Sequence, residues 1–171
     1  TFREEFLQYF NHNGAICDIG CGTGLIGYEI AKVNKSIIVD GVDISPEMIL
    51  IAKKKNIYRS FYELDLTKSI HDIPKGYDGL LSSGTFTHGH LGPAELSNLL
   101  SLCKPNAILT IGINAKYYVD KGFEKVINEL ESNSIVEILN FSKASIYSKE
   151  YNKSKEHNSA IICTLKNINS S

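Results

Sequence analysis

Residues 15–24 read AICDIGCGTG. A short apolar run ends in an acid, Asp18, and three glycines follow at alternating positions, Gly20, Gly22 and Gly24. A strand that ends in such a loop can press its backbone against a ligand, because glycine has no Cβ and tolerates positive φ. The helix that follows aims unpaired N–H groups at the same spot. A second apolar run closes on GVD, which puts Asp43 where a carboxylate accepts hydrogen bonds from a ribose diol. Together these features imply a nucleoside-containing ligand.

Working outward from the loop, Phe2, Phe6, Tyr9 and Phe10 share one face of a predicted helix over residues 1–12, which Asn11, Asn13 and Gly14 stop. The first strand spans 15–19, and a helix over 25–33 is expected to bury Ile26, Ile30 and Val33. A second strand covers 37–42. Ser45 then caps a helix with Pro46 at its first position, where the N–H that proline lacks would go unpaired anyway. Strands at 58–64 and 78–83 come next, the latter ending on the small-residue loop SSGT. Pro93 opens a helix with Leu96, Leu99, Leu100 and Cys103 on one face, and Lys104, Pro105 and Asn106 turn the chain into a strand at 107–113. Phe123, Val126, Ile127 and Leu130 mark another amphipathic helix. Strands at 135–139 and 160–165 are separated only by the polar stretch 142–158, expected to hold a mobile loop. Strands alternating with helices predict an α/β fold, a parallel sheet with helices on both faces; the last two strands predict an appended antiparallel pair.

A chain of 171 residues can build one domain with a single core, so residues 1–171 are expected to form one domain. The net charge of −1 and the scattered lysines give no footprint for nucleic acid or an anionic membrane. No apolar run approaches the ~20 residues that cross a bilayer, and the first residues lack the pattern of a secretory signal. Cys17, Cys21, Cys103 and Cys163 have no C-x-x-C spacing, so reduced thiols and a cytoplasmic location are expected.

Two fingerprints compete for the loop. Gly22, Gly24 and Gly27 make a literal G-x-G-x-x-G with Asp43 further on, as a dinucleotide-binding unit would have. Asp18, Gly20, Gly22 and Gly24 make D-x-G-x-G-x-G instead. Register separates them: Gly20 already makes the turn after the strand, and Gly27 falls inside the helix, where close packing on the sheet explains it.

With DIGCGTG, GVDISPEMI and ELDL (63–66) in this order, the chain resembles the class I S-adenosylmethionine-dependent methyltransferases over nearly all of residues 15–166. The resemblance implies a Rossmann-like, seven-stranded, mostly parallel sheet with an antiparallel last strand. It also implies that Asp18 and the backbone of Gly20, Cys21, Gly22 and Gly24 hold the methionine part of S-adenosyl-L-methionine. By the same resemblance Asp43 binds the ribose, Ile44 packs on the adenine, and Asp65 with the Leu66 backbone reads the adenine edge. Ser83, beside the cofactor, is counted with this set. Each acid also has a plainer reading, as a turn or helix cap, and it is their joint occurrence that favours the cofactor.

The stretch SSGTFTHGHLGP (82–93) follows strand four, and ligands of open α/β sheets lie outside the carboxyl ends of the strands. It resembles the same stretch in methyltransferase-like proteins of the Williams–Beuren-region type and their bacterial relatives. His88 and His90 are the catalytic candidates: either can take a proton from an acceptor or hold it, and both can instead hydrogen-bond loop carbonyls. A His-x-His pair can also bind metal, but no carboxylate precedes Glu95 in the loop, and no metal site is assigned. The loop lacks both the N/D-P-P-aromatic pattern of amino-methylating DNA enzymes and the paired glutamates of arginine methyltransferases. A small-molecule methyl acceptor is therefore the first expectation. A non-catalytic cofactor-binding subunit that stabilises or regulates a partner is the alternative. Relatives carry more sequence before strand one than the 14 residues found here, so a lid region is expected to be missing or replaced.

Overall fold

The computed structural model describes residues 1–86, 91–145 and 159–169. Seven strands form one sheet in the order β3-β2-β1-β4-β5-β7-β6. The strands are β1 (Gly14–Ile19), β2 (Ile37–Asp43), β3 (Tyr58–Glu63), β4 (Tyr77–Phe86), β5 (Cys103–Asn114), β6 (Val136–Ser145) and β7 (Ser159–Asn167). β1 to β5 run parallel, while β7 is antiparallel to both β5 and β6. The mostly parallel sheet with an antiparallel end is the α/β, Rossmann-like arrangement expected from the sequence.

The helices are α1 (Phe2–Tyr9), α2 (Leu25–Val33), α3 (Pro46–Lys53), α4 (Ala94–Leu100), α5 (Ala115–Asp120) and α6 (Phe123–Ser132). Successive strand residues point to opposite faces, and the core divides accordingly. Ile16, Leu81 and Ile108 pack with Phe6, Phe10 and Ile30 of the α1/α2 side. Their neighbours Cys17, Leu80 and Leu109 pack with Leu96, Phe123 and Ile127 of the α4/α6 side. Central strands covered on both faces read as nearly continuous apolar runs, as they do here.

Several boundaries depart from the sequence reading. α1 stops at Tyr9 rather than residue 12, because Phe10 leaves the helical conformation and buries its ring against Phe6, with centroids 4.8 Å apart. Val33 is 61% exposed rather than buried, since the narrow contact of α2 with the sheet is filled by Gly27 and Ile30. β4 runs on through SSGT to Phe86, with its register broken between Ser82 and Phe86. Cys103 begins β5 instead of closing α4. Residues 104–107 bulge out between the pairs Tyr77 to Cys103 and Gly79 to Ile108, with Asn106 at φ 69°. The short helix α5 carried no periodic signal in the sequence. Residues 142–145, expected in a loop, extend β6, and the remainder of that stretch, 146–158, lies outside the described residues.

Candidate functional site

β1, α2, β2, α3 and β3 wind to one side of β1, and β4 and β5 lie on the other. Chain connections diverge between β1 and β4, and at such a point a crevice opens outside the carboxyl ends of the strands. A pocket of about 370 Å³ occupies it, within the ~300–1,000 Å³ range of small-molecule sites. Gly20 follows β1, Asp43 and Ile44 close β2, Leu64, Asp65, Leu66 and Thr67 follow β3, and Gly84 and Thr85 end β4, with Leu91 completing the wall.

Asp43 is the hinge of this site. Its Oδ2 accepts the Gly22 N–H at 2.8 Å and its Oδ1 accepts the Ser45 N–H at 2.9 Å. One carboxylate thus fixes both the glycine loop and the start of α3, while each oxygen keeps acceptor capacity for a ligand. Asp65 caps the turn after β3 and lines the pocket. Its Oδ1 accepts the Thr67 hydroxyl at 2.6 Å and the Thr67 N–H at 3.0 Å, capping the turn, and the residue still lines the pocket. These bonds, the Thr67 hydroxyl foremost, hold its carboxyl below the usual range.

The glycine loop presents backbone. Gly22 adopts φ +54°, and a Cβ placed there would meet no atom of the protein within 4 Å. Gly22 itself is not among the residues that line the pocket. Gly20 is closed in a different way: its missing Cβ makes room for the Thr85 hydroxyl, which donates to the Ile19 carbonyl at 3.0 Å and ties β4 to β1 at the pocket floor.

Not every predicted residue reaches the pocket wall. Asp18 is 1% exposed; it accepts the Tyr58 hydroxyl at 2.7 Å, and burial raises its carboxyl to about 7. Cys21 is buried, its N–H donating to the Val42 carbonyl at 2.9 Å and its thiol pushed up to about 12 by burial. Gly24 starts α2, and Ser83 is exposed at the end of β4; neither lines the pocket. His88 and His90 lie outside the described residues, but the two ends of their segment meet at the pocket, where the Leu91 N–H donates to the Thr85 carbonyl at 3.2 Å.

Gly84, Thr85 and Leu91 belong to the 82–93 stretch that the sequence places beside a ligand, and all three line the pocket, whereas Tyr58, Leu64 and Thr67 were not singled out in the sequence. Leu64 and Thr67 flank Asp65 and were within reach of its motif. Tyr58 carried no local signal, since it meets Asp18 only through strand pairing.

The wall is chemically one-sided. Apolar Ile44, Leu64, Leu66 and Leu91 suit a flat ring, and the two carboxylates suit hydroxyl and amino donors. Among the described residues no lysine, arginine or histidine lines it. The set fits the ring, hydroxyl and amino groups of a nucleoside.

A family model described as a methyltransferase domain matches residues 10–159. The malonyl-(acyl-carrier protein) O-methyltransferase of Halalkalibacterium halodurans is 30% identical over 126 residues, covering 68% of this chain and 46% of that protein. The chain spans about half the length of the curated relatives it matches. The structure of the plantazolicin methyltransferase BpumL in complex with SAH is similar at a TM-score of 0.69 and 17% identity, covering 97% of this chain and 81% of that one. A TehB-like SAM-dependent methyltransferase from Corynebacterium glutamicum is similar at 0.70 and 19% identity, covering 97% and 87%. At such identities the structural likeness speaks for the fold.

Proposed function

The chain belongs to the methyltransferase-domain family, and on that premise we propose that it binds S-adenosyl-L-methionine in the β1/β4 crevice and transfers the methyl group to a small-molecule acceptor. The observation that carries this reading is the pair of strand-end carboxylates, Asp43 and Asp65, set beside an apolar wall in the crevice. Its described charged residues are Asp43 and Asp65, with no cation among them. Asp43 accepts the ribose hydroxyls, Asp65 and the Leu66 backbone meet the adenine edge, and Ile44 covers its face. The backbone at Gly20, Gly22 and Gly24 and the Asp18 carboxyl serve the methionine end.

When bound, the cofactor supplies an electrophilic methyl on a positively charged sulfur, which loses its charge as the methyl leaves. The protein's main contribution is alignment of the acceptor with that methyl, worth ~7–11 kcal/mol in favourable cases. His88 or His90 serves as base toward an acceptor that starts protonated. The near-neutral net charge argues for an acceptor other than nucleic acid, and the four free cysteines fit a cytoplasmic location. Residues 1–171 act as one cofactor-binding domain in this reading. No helix among the described residues is long and apolar enough to cross a membrane.

Calorimetry tests the cofactor: saturable binding of S-adenosylmethionine and S-adenosylhomocysteine is expected, and saturable binding of NAD alone would overturn the reading. Transfer of labelled methyl is then followed across a metabolite panel and a lysate. Cofactor binding with no labelled product from any acceptor would favour a non-catalytic subunit.

A further inference from the structure

In the cofactor reading Asp43, Ile44, Asp65 and Leu66 hold the nucleoside, and the Gly20 backbone serves the methionine end. One stretch of the pocket wall is left without an occupant: Gly84 and Thr85 at the end of β4, with Leu91 beside them. Gly84 is exposed, and a Cβ there would meet no atom of the described residues within 4 Å. Leu91 adds an apolar surface.

Thr85 is held at two points. Its hydroxyl donates to the Ile19 carbonyl at 3.0 Å, and its own carbonyl accepts the Leu91 N–H at 3.2 Å. A carbonyl oxygen can only accept, so the direction of the first bond is fixed and the single hydroxyl proton is committed to β1. The hydroxyl oxygen keeps its lone pairs. Among the described residues nothing donates to them, and the side chain that Gly20 lacks, whose Cβ would fall 1.8 Å away, leaves the oxygen uncovered. Thr85 is half-buried and lines the pocket, so a ligand in the crevice meets this oxygen as an acceptor only.

We propose that Gly84, Thr85 and Leu91 form the subsite for the methyl acceptor, and that Thr85 selects an acceptor whose nucleophilic atom carries a proton: an amine, alcohol or phenol rather than a carboxylate. This rests on the S-adenosylmethionine reading above and deepens it by naming the acceptor's class. An N–H or O–H held on Thr85 Oγ1 fixes the nucleophilic atom and leaves its lone pair free to point into the crevice. In transfer that lone pair forms the bond to the methyl carbon, the pair of the broken methyl–sulfur bond stays on sulfur, and the acceptor's proton is released in the end to solvent. A carboxylate has no proton to offer and sets lone pairs against lone pairs at Thr85.

The test is NMR titration of matched probes into the intact chain saturated with S-adenosylhomocysteine. Phenol and aniline carry the required proton, anisole and N,N-dimethylaniline are the same rings without it, and benzoate is the carboxylate. Phenol and aniline are expected to bind more tightly than benzoate. Thr85→Val removes the hydroxyl, so it should weaken phenol and aniline about two- to tenfold and leave anisole and N,N-dimethylaniline unchanged, while Thr85→Ser should behave as wild type. Equal weakening of all these probes in Thr85→Val would mark a merely structural threonine and overturn the proposal, as would benzoate binding more tightly than phenol and aniline. A loss in Thr85→Val confined to S-adenosylhomocysteine affinity would give the hydroxyl to the cofactor and overturn it too. Gly84→Val puts a side chain into the subsite and should weaken phenol by about tenfold or more with the S-adenosylhomocysteine Kd unchanged; unaltered phenol binding would place the acceptor elsewhere and overturn the proposal. Failure of phenol and aniline to bind the loaded wild type overturns this proposal alone. Failure of wild type to bind either S-adenosylmethionine or S-adenosylhomocysteine overturns the cofactor reading and this proposal with it.

Discussion

Two glycines of the loop separate folding from binding. Ala at position 22 must adopt φ +54°, a strain of about 1–2 kcal/mol, yet its Cβ touches nothing in the protein. Gly22→Ala is therefore expected to lower stability slightly in urea denaturation and to weaken S-adenosylmethionine binding by far more than that loss explains. Gly20→Ala carries similar strain, but its Cβ falls 1.8 Å from the Thr85 hydroxyl and dislodges the bond to Ile19. Its stability should fall by about 3 kcal/mol or more, measured the same way. Asp18 makes a pH prediction whose sign follows from its raised value. It titrates at about 7 folded against an ordinary 3.8, so between the two the folded state holds the extra proton and stability falls as pH rises. The decline levels off above about 7. Asp18→Asn removes this slope, so its stability relative to wild type should rise across that window by at most about 4 kcal/mol. The acid and the glycines were legible in the sequence as a loop motif. That Gly20 lines the pocket while Asp18 lies buried beneath the loop was not, since one-letter spacing does not say which way a strand end points.

At the scale of elements, the pocket depends on the alignment of β2 with β3, because these strands deliver Asp43 and Asp65. A buried ion pair locks them. Asp40 is fully buried in β2 and accepts Arg59 Nε at 3.0 Å and Nη2 at 2.6 Å, while the Tyr77 hydroxyl of β4 donates at 2.7 Å. Arg59 is also the extra residue where the register slips, since Val39 pairs with Tyr58 and Asp40 with Ser60. Arg59→Ala would leave a buried carboxylate with only a tyrosine. The cost should be about 2–4 kcal/mol, below that of a fully enclosed pair because Arg59 is half-exposed. Thermal denaturation should report it, accompanied by weaker cofactor binding. The sequence reading placed β3 almost to the residue but gave Asp40 no role. An acid inside an apolar strand is a signal of a buried partner, and Arg59 was within reach of that argument.

Over the whole molecule, the order of strands gathers the site. Gly20, Asp43, Asp65 and Thr85 are spread over more than 60 positions of the chain and meet because β1 to β4 run parallel and end on one side. Thr85 and Leu91, on either side of His88 and His90 in the sequence, both line that same wall. If one of these histidines is the base, His88→Ala or His90→Ala should lower the methyl-transfer rate by about 10²–10⁴ with the cofactor Kd unchanged. Equal rates in both variants would assign them to loop shape. The sequence by itself determined the alternation of strands and helices, the glycine turn after β1 and the acids after β2 and β3. These are local matters, written in periodicity, Cβ size and side-chain charge. Only the tertiary structure decided that Tyr58 reaches Asp18, that Arg59 pairs with Asp40, and that the pocket wall is acidic. Each of those depends on residues far apart in the chain being brought within hydrogen-bond distance, and strand order and register set such distances while spacing along the sequence does not.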